Sequence, residues 1–324
     1  MPRRVINLRS QVPLLDIVSY ARGRGPLTRD QRAYIARTVR RVPEVVVKVS
    51  GGARTLAGVE RHLQYIEKKG ASGLETDMDT RAGGKGFARD LVRDWDLDVE
   101  ALKHYSKKMF RGKPPRLVHN LIFSMPAGTS SKAVLGAVRK LALNEWALEH
   151  RYALALHTDT PRPHVHVALK AVSEQGIRLN IKKSDIRKWR TQFASNLREL
   201  GVAANATERA VRGETRISKR TEIFRAGQRG DSSHLRHRRL TALSEGVSSA
   251  SESRARTVLN RTRQHVVDSF LALAVKFRDE GDIELAHDTQ RFLDRMGPVK
   301  TEAEAYAAEW HRNHQSRDPW SHLR

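Results

Sequence analysis

Two alternating segments joined by a proline-bounded turn set the strongest constraint on this chain. Residues 151–157 (RYALALH) and 164–170 (HVHVALK) alternate, and TDTPRP between them carries turn residues. Successive side chains leave a strand on opposite sides, so period-two alternation reads as a strand with two distinct faces. The pair is expected to fold as an antiparallel hairpin. One face would collect Tyr152, Leu154 and Leu156 with Val165, Val167 and Leu169. The other would collect Ala153, Ala155 and His157 with His164, His166 and Ala168, placing His157 beside His164 and His166. The alanines leave room in front of the imidazoles. Three neutral imidazoles on one concave spot form a metal site with open positions for water or substrate. One strand histidine is ordinarily a half-buried polar residue, but three on one face around one turn call for a shared task.

Charge narrows what such a site would act on. Lysine and arginine number 60 against 36 acidic residues, giving a net charge of +24 over 324 residues. A field of that sign draws a polyanion, and nucleic acid is the leading partner. Cysteine is absent, which excludes disulfides, thiolate zinc and cysteine nucleophiles and suits a reducing compartment. No stretch approaches a membrane span and the N-terminus lacks the apolar run of a secretory signal, so a cytoplasmic protein without membrane insertion is expected. Aromatic residues are 6%, too few for base stacking to be the main binding mode.

Residues 1–43 read as a basic extension with a helix over Leu27–Val42, opened by a capping box of Thr28 and Gln31. EVVVKVS at 44–50 reads as a strand ended by Gly51–Gly52. A helix from Thr55 to Lys69 follows, closed by Gly70 in a C-terminal capping position. Leu56, Val59, Leu63 and Ile66 form its buried stripe. Tyr65 lies off that stripe, and its helical neighbours are Arg61, His62, Lys68 and Lys69, a basic setting that suits a phenol approaching a phosphate. Residues 71–115 read as a polar insertion or lid, with a helix around Phe87–Trp95. LVHNLIFSM at 117–125 is a further strand, Pro126–Thr129 a turn, and 131–148 a helix. Beyond the hairpin, Lys183–Leu200 is a basic amphipathic helix with Ile186, Trp189, Phe193 and Leu197 on its apolar side. This order implies an α+β fold, a mostly antiparallel sheet backed by helices. After Glu208 the chain turns strongly basic and reads as a linker or phosphate-tracking arm, then helical over 251–313, with Pro298 setting off a last short helix. The expected division is an extension over 1–43, a catalytic domain over 44–215 and a basic helical region over 216–324.

A metal beside a tyrosine in a basic protein suggests phosphodiester chemistry. The metal would stabilise charge on the phosphorus, and a phenol could attack it with help from a base or nearby cations. The product, a phosphotyrosine ester, conserves the phosphodiester link.

At this point a resemblance becomes specific. H-x-D-x-x-x-P-H-x-H at His157, Asp159, Pro163, His164 and His166 resembles the metal motif of conjugative relaxases, His-hydrophobe-His endonucleases that nick plasmid transfer origins. HLQYIEKKG around Tyr65 resembles their nucleophile motif, and LIFSMPAGTSS around Ser124 their middle motif. The three occur in family order over about residues 44–215, and the nearest type is the mobilisation relaxase that includes the T-DNA border endonuclease. The resemblance implies Tyr65 as nucleophile and His157, His164 and His166 as ligands of a divalent ion, Mg2+ or Mn2+. Imidazoles alone would equally suit zinc or nickel. Asp159 could orient a ligand histidine or accept the phenol proton, or simply bond its own turn. Ser124, with Arg61, Lys68 and Lys69, would hold single-stranded DNA near the nick. Relaxosome accessory proteins and a type IV secretion coupling protein are the further partners the family permits. A rolling-circle replication initiator of the same superfamily and a non-enzymatic basic DNA-binding protein are the alternative readings. No phosphate-binding helicase motif is present.

Overall fold

The computed structural model describes residues 14–23, 25–71, 73–78, 84, 86–100, 114–214, 250–301 and 303–308, with single positions between 226 and 240. In chain order its elements are α1 (Leu14–Arg22), α2 (Arg29–Val39), β1 (Val46–Ala53), α3 (Leu56–Lys69), β2 (Glu75–Thr76), α4 (Phe87–Asp94), β3 (Val118–Ser124), α5 (Ser131–Glu145), β4 (Tyr152–His157), β5 (His164–Lys170), α6 (Lys183–Glu199), α7 (Ala250–Asp279) and α8 (Ile283–Asp294). Val42–Ala206 fall in one compact unit, and Val12–Arg41 with Thr207–Arg324 in another. None of the helices among the described residues is long and apolar enough to cross a membrane.

The first unit is built on a five-stranded sheet in the order β1-β3-β5-β4-β2, with every neighbouring pair antiparallel. This is the α+β class expected from the sequence. The two faces of the β4–β5 hairpin separate as the alternation requires. Tyr152, Leu154, Leu156, Val165, Val167 and Leu169 join Leu121 and Phe123 against α5 and α6, whose Val138, Leu141, Trp189, Phe193 and Leu197 complete that core. Phe123 meets Phe193 edge-on at 5.4 Å between centroids, and Trp146 meets Trp189 at 5.3 Å. Such edge-to-face pairs add about 0.5–1.5 kcal/mol beyond the area they bury.

The opposite face carries Val118, Ala153, Ala155 and Ala168, covered by Val59, Leu63 and Ile66 of α3 and by Leu91, Val92 and Trp95 around α4. The small alanines make room for a helix on that side. Its start is capped by Thr55, whose hydroxyl accepts from the Gly58 N–H. At its end Gly70 does occupy the cap position, but with φ −69° and ψ 129°, an extended residue rather than the left-handed one a capping glycine usually supplies. Glycine is favoured there by space: a Cβ would stand 3.0 Å from the Gly73 carbonyl oxygen and 3.1 Å from that of Ile66. From Gly70 the chain runs along β4. Gly70 bridges to His157, the Ala71 N–H donates to the Leu156 carbonyl at 2.8 Å, and β2 pairs Glu75 with Leu154. Helix α3 therefore links the two outermost strands, β1 and β2.

The expected insertion at 71–115 thus holds a short edge strand that two residues could not announce in sequence, and residues 101–113 lie outside the described residues. That edge is pinned by charge. Arg139 donates twice to the buried Glu75 carboxylate, at 2.6 Å each, and Arg151 pairs with both Asp77 and Asp94. The helix expected over 131–148 ends at Glu145, with Trp146 turning into the core.

In the second unit α1, α2, α7 and α8 share one apolar cluster, including Ile17, Ile35, Val39, Phe270, Leu273, Phe277 and Phe292. The Thr28–Gln31 capping box forms as expected. Arg32 pairs with Glu280 and Asp282, and Arg40 with Glu284 and Asp288. The N-terminal helices so find their partners far along the chain, a pairing that local sequence patterns cannot reveal. The basic arm over 215–249 lies outside the described residues except for isolated positions.

Candidate active site

The register of the hairpin sets the three histidines together. His157 pairs with His164, and Ala155 with His166; directly opposed residues share a face. The ring centroids are 4.4 Å apart for His157 and His166, 5.3 Å for His157 and His164, and 5.2 Å for His164 and His166. One nitrogen from each ring lies within 4.8 Å of the other two.

Backbone carbonyls fix two of the rings. His157 Nε2 donates to the Ile66 carbonyl at 2.9 Å, and His164 Nδ1 donates to the Arg162 carbonyl at 3.0 Å. A nitrogen that donates to a carbonyl carries the proton, which leaves the lone pair on the other nitrogen. The Nδ1 atom of His157, which keeps the lone pair, is buried with no hydrogen-bond partner among the described residues. A buried polar atom is rarely left so, and this one lies in a cluster of three imidazoles that could hold a metal ion. The donor set therefore fits a divalent cation. Burial pushes the His157 imidazole below its ordinary pKa, and burial together with the neighbouring imidazoles takes His166 down to about 3. Both are neutral at pH 7, the state that ligation needs.

Helix α3 brings the tyrosine. With Val59, Leu63 and Ile66 buried, Tyr65 is left 46% exposed. Its ring nevertheless lies 6.1 Å from those of both His157 and His166. The bond from His157 to Ile66, the residue after the tyrosine, ties the helix to the strand that carries His157. Lys69, one turn on, places its ammonium 5.4 Å from the centre of the Tyr65 ring and 3.1 Å from Asp159 Oδ2. That bond holds the Asp159 carboxyl below its usual range and raises the Lys69 ammonium. Asp159 thus bonds Lys69, while the acceptors for His157 and His164 are the backbone carbonyls just described.

Ser124 stands opposite His164 in the sheet, its Oγ donating to the Pro163 carbonyl at 3.3 Å. The three sequence segments singled out above thus converge at one end of the sheet. Of the other basic residues around Tyr65, neither Arg61 nor Lys68 makes a contact with its ring that the structure records. Arg61 turns back to the Ala57 carbonyl of its own helix, and Lys68 borders an open cleft with Gln64 and Glu67. His62, counted in the sequence as a basic neighbour of Tyr65, is instead drawn into the site. Its ring is 6.5 Å from that of His166, its Nε2 is buried with no hydrogen-bond partner among the described residues, and burial takes its pKa to about 4. The available signal was its place three residues before Tyr65, which on a helix makes the two side chains neighbours.

Residues 65–202 match a family model described as "Relaxase: MobA/VirD2-like, nuclease domain". The matched span opens on Tyr65 itself and takes in Ser124 and all three histidines. No curated protein matches the chain.

Proposed function

We propose that the chain, whose residues 65–202 match the nuclease domain of MobA/VirD2-like relaxases, is a DNA endonuclease of mobilisation that nicks one strand at a plasmid transfer origin by transesterification through Tyr65. The observation that carries this reading is the exposed Tyr65 ring 6.1 Å from two of three histidines whose nitrogens converge. In the reaction the Tyr65 phenol loses its proton and its oxygen attacks the phosphorus of one phosphodiester. The P–O3′ bond breaks, a free 3′ hydroxyl leaves with a proton, and the 5′ phosphate stays on the tyrosine. Because one ester replaces another, the strand can later be rejoined.

A divalent ion held by His157, His164 and His166 would supply the positive charge that a phosphoryl group needs as it becomes five-coordinate. The remaining roles belong to side chains. The Lys69 ammonium, 5.4 Å from the centre of the Tyr65 ring, would meet the phosphate that the phenol approaches. Asp159 holds Lys69 there, and as an ionised carboxylate it is the proposed acceptor for the phenol proton. Ser124, opposite His164, is placed to hold a strand entering the site.

The test uses the full chain, Mn2+ or Mg2+, and a single-stranded oligonucleotide carrying the transfer-origin nick site. The wild type should leave an adduct that survives boiling in detergent. Tyr65→Phe, which removes one oxygen and almost no volume, should bind the oligonucleotide and give no adduct. A wild type that cuts without becoming attached would mean that water is the nucleophile, and the reading would fail at its central step.

A further inference from the structure

Each ligand histidine needs something to set which of its nitrogens carries the proton, because the wrong tautomer points a hydrogen at the metal. For His157 and His164 backbone carbonyls do this. For His166 the Nδ1 is buried and has no hydrogen-bond partner among the described residues. Edge-on to its ring stands His62, whose Nε2 is also buried with no hydrogen-bond partner among the described residues. Two unpartnered ring nitrogens on neighbouring side chains would each carry an uncompensated desolvation penalty if left dry. At 6.5 Å between centroids the rings stand too far apart for a direct bond between nitrogens, which needs about 3 Å. One intervening water, the usual partner of buried polar groups that cannot reach each other, would satisfy both nitrogens.

We infer that His62 is a positioning residue for the metal centre: one buried water joins His62 Nε2 to His166 Nδ1, fixing His166 with its proton on Nδ1 and its lone pair on Nε2. This rests on the proposed metal centre and assigns its third orienting contact. It gives His62 a task distinct from that of Tyr65, although both rings flank His166. It also places that contact on α3, so the helix that carries the tyrosine bonds His157 through Ile66 and His166 through His62.

The experiment compares His62→Ala, His62→Gln and His62→Asn in the full chain, each first checked for an unchanged circular dichroism spectrum. A glutamine amide reaches the position of imidazole Nε2, whereas an asparagine amide reaches only that of Nδ1. In metal-free protein labelled with 15N-histidine, long-range proton–nitrogen spectra should show His166 protonated on Nδ1 in the wild type and in His62→Gln. In His62→Ala and His62→Asn the two tautomers should mix. Titration with Mn2+ should show binding weakened by about 10- to 100-fold in His62→Ala and His62→Asn, and largely restored in His62→Gln. Should His62→Ala fail to fold, the Gln–Asn comparison still decides. An unchanged His166 tautomer in His62→Asn or His62→Ala, or equal Mn2+ affinity for the Gln and Asn variants, overturns the assignment. If the wild type binds no Mn2+, the metal centre falls, but the metal-free spectra still judge the bridge.

Discussion

Gly70→Ala isolates the contact between the end of α3 and the strand that carries His157. The backbone there can accept alanine, since φ is −69°. If conformation were all, alanine would stabilise the protein by about 0.4–1 kcal/mol through the unfolded chain. Against this, the new Cβ would meet the carbonyl oxygens of Gly73, Ile66 and Glu67 at 3.0, 3.1 and 3.3 Å. All three are backbone atoms, so relief requires the helix end and the β4-side segment to part by a few tenths of an ångström. Overpacking of this kind costs about 1–3 kcal/mol. The net expectation is a loss of roughly 1 kcal/mol, seen as a fall of about 2–4 °C in the melting temperature of a unit this size. Function should suffer more than stability, because the Ile66 carbonyl that must move is the acceptor for His157 Nε2. A misplacement of about 1 Å costs on the order of a hundredfold, so a smaller shift should slow adduct formation by roughly tenfold while leaving oligonucleotide binding within twofold. Thermal melts and single-turnover adduct assays measure the two effects. Gly297→Ala, where a Cβ would meet nothing within 4 Å, serves as the control and should change neither. A Gly70→Ala protein as stable and as fast as the wild type would refute the reasoning.

Three further outcomes follow from the same geometry. His164→Ala or His166→Ala should abolish metal-dependent nicking while largely keeping DNA binding, which draws on dispersed phosphate contacts; normal nicking by either variant in the presence of chelator would remove the histidines from the reaction. His62 and His166 have pKa values lowered to about 4 and about 3 against 6.5 for the free side chain, so the unfolded chain takes up their protons first as pH falls. Their contribution to stability is complete above pH 6.5 and is lost as pH drops through the folded values, on the order of 1 kcal/mol for each at about pH 5.5; denaturant melts of chelator-treated protein at that pH and at neutrality should differ in this direction, and equal midpoints would count against the burial of both rings. Finally, a fragment spanning 42–206 should still attach to a short oligonucleotide but bind long DNA with a shallower salt dependence, since fewer phosphates are neutralised; equal salt slopes would take DNA binding away from the basic helical unit.

The parts that could be read from sequence were those written in local periodicity. Alternation at 151–157 and 164–170 prescribes both hairpin faces, and because register moves side chains by whole faces it also prescribes which histidines meet. The stripe of Val59, Leu63 and Ile66 likewise leaves Tyr65 outside the core. What could not be read depends on long-range pairing. Strand β2 is two residues whose conformation is imposed by β4, and α1 and α2 pack with α7 and α8 over separations no window spans. Gly70 looks like a helix-capping glycine but is chosen for close approach. Asp159 in a turn beside a histidine gives no hint of its partner, because Lys69 is ninety residues away in sequence. His62 misleads for a related reason: charge is a property of environment, and a histidine beside arginine and lysines in sequence is driven neutral once the helix buries it.

The path of α3 from one sheet edge to the other has a mechanical consequence for the proposed reaction. A strand esterified to Tyr65 that is then drawn away pulls on this helix. A terminal helix, or one fastened at a single end, would peel from the sheet one contact at a time. Here the load passes through β1 to β3 on one side, and through the Gly70 and Ala71 contacts to β4 on the other. Tension is thus shared across hydrogen bonds sheared together rather than broken in turn, and the attachment point resists extraction without any added cross-link.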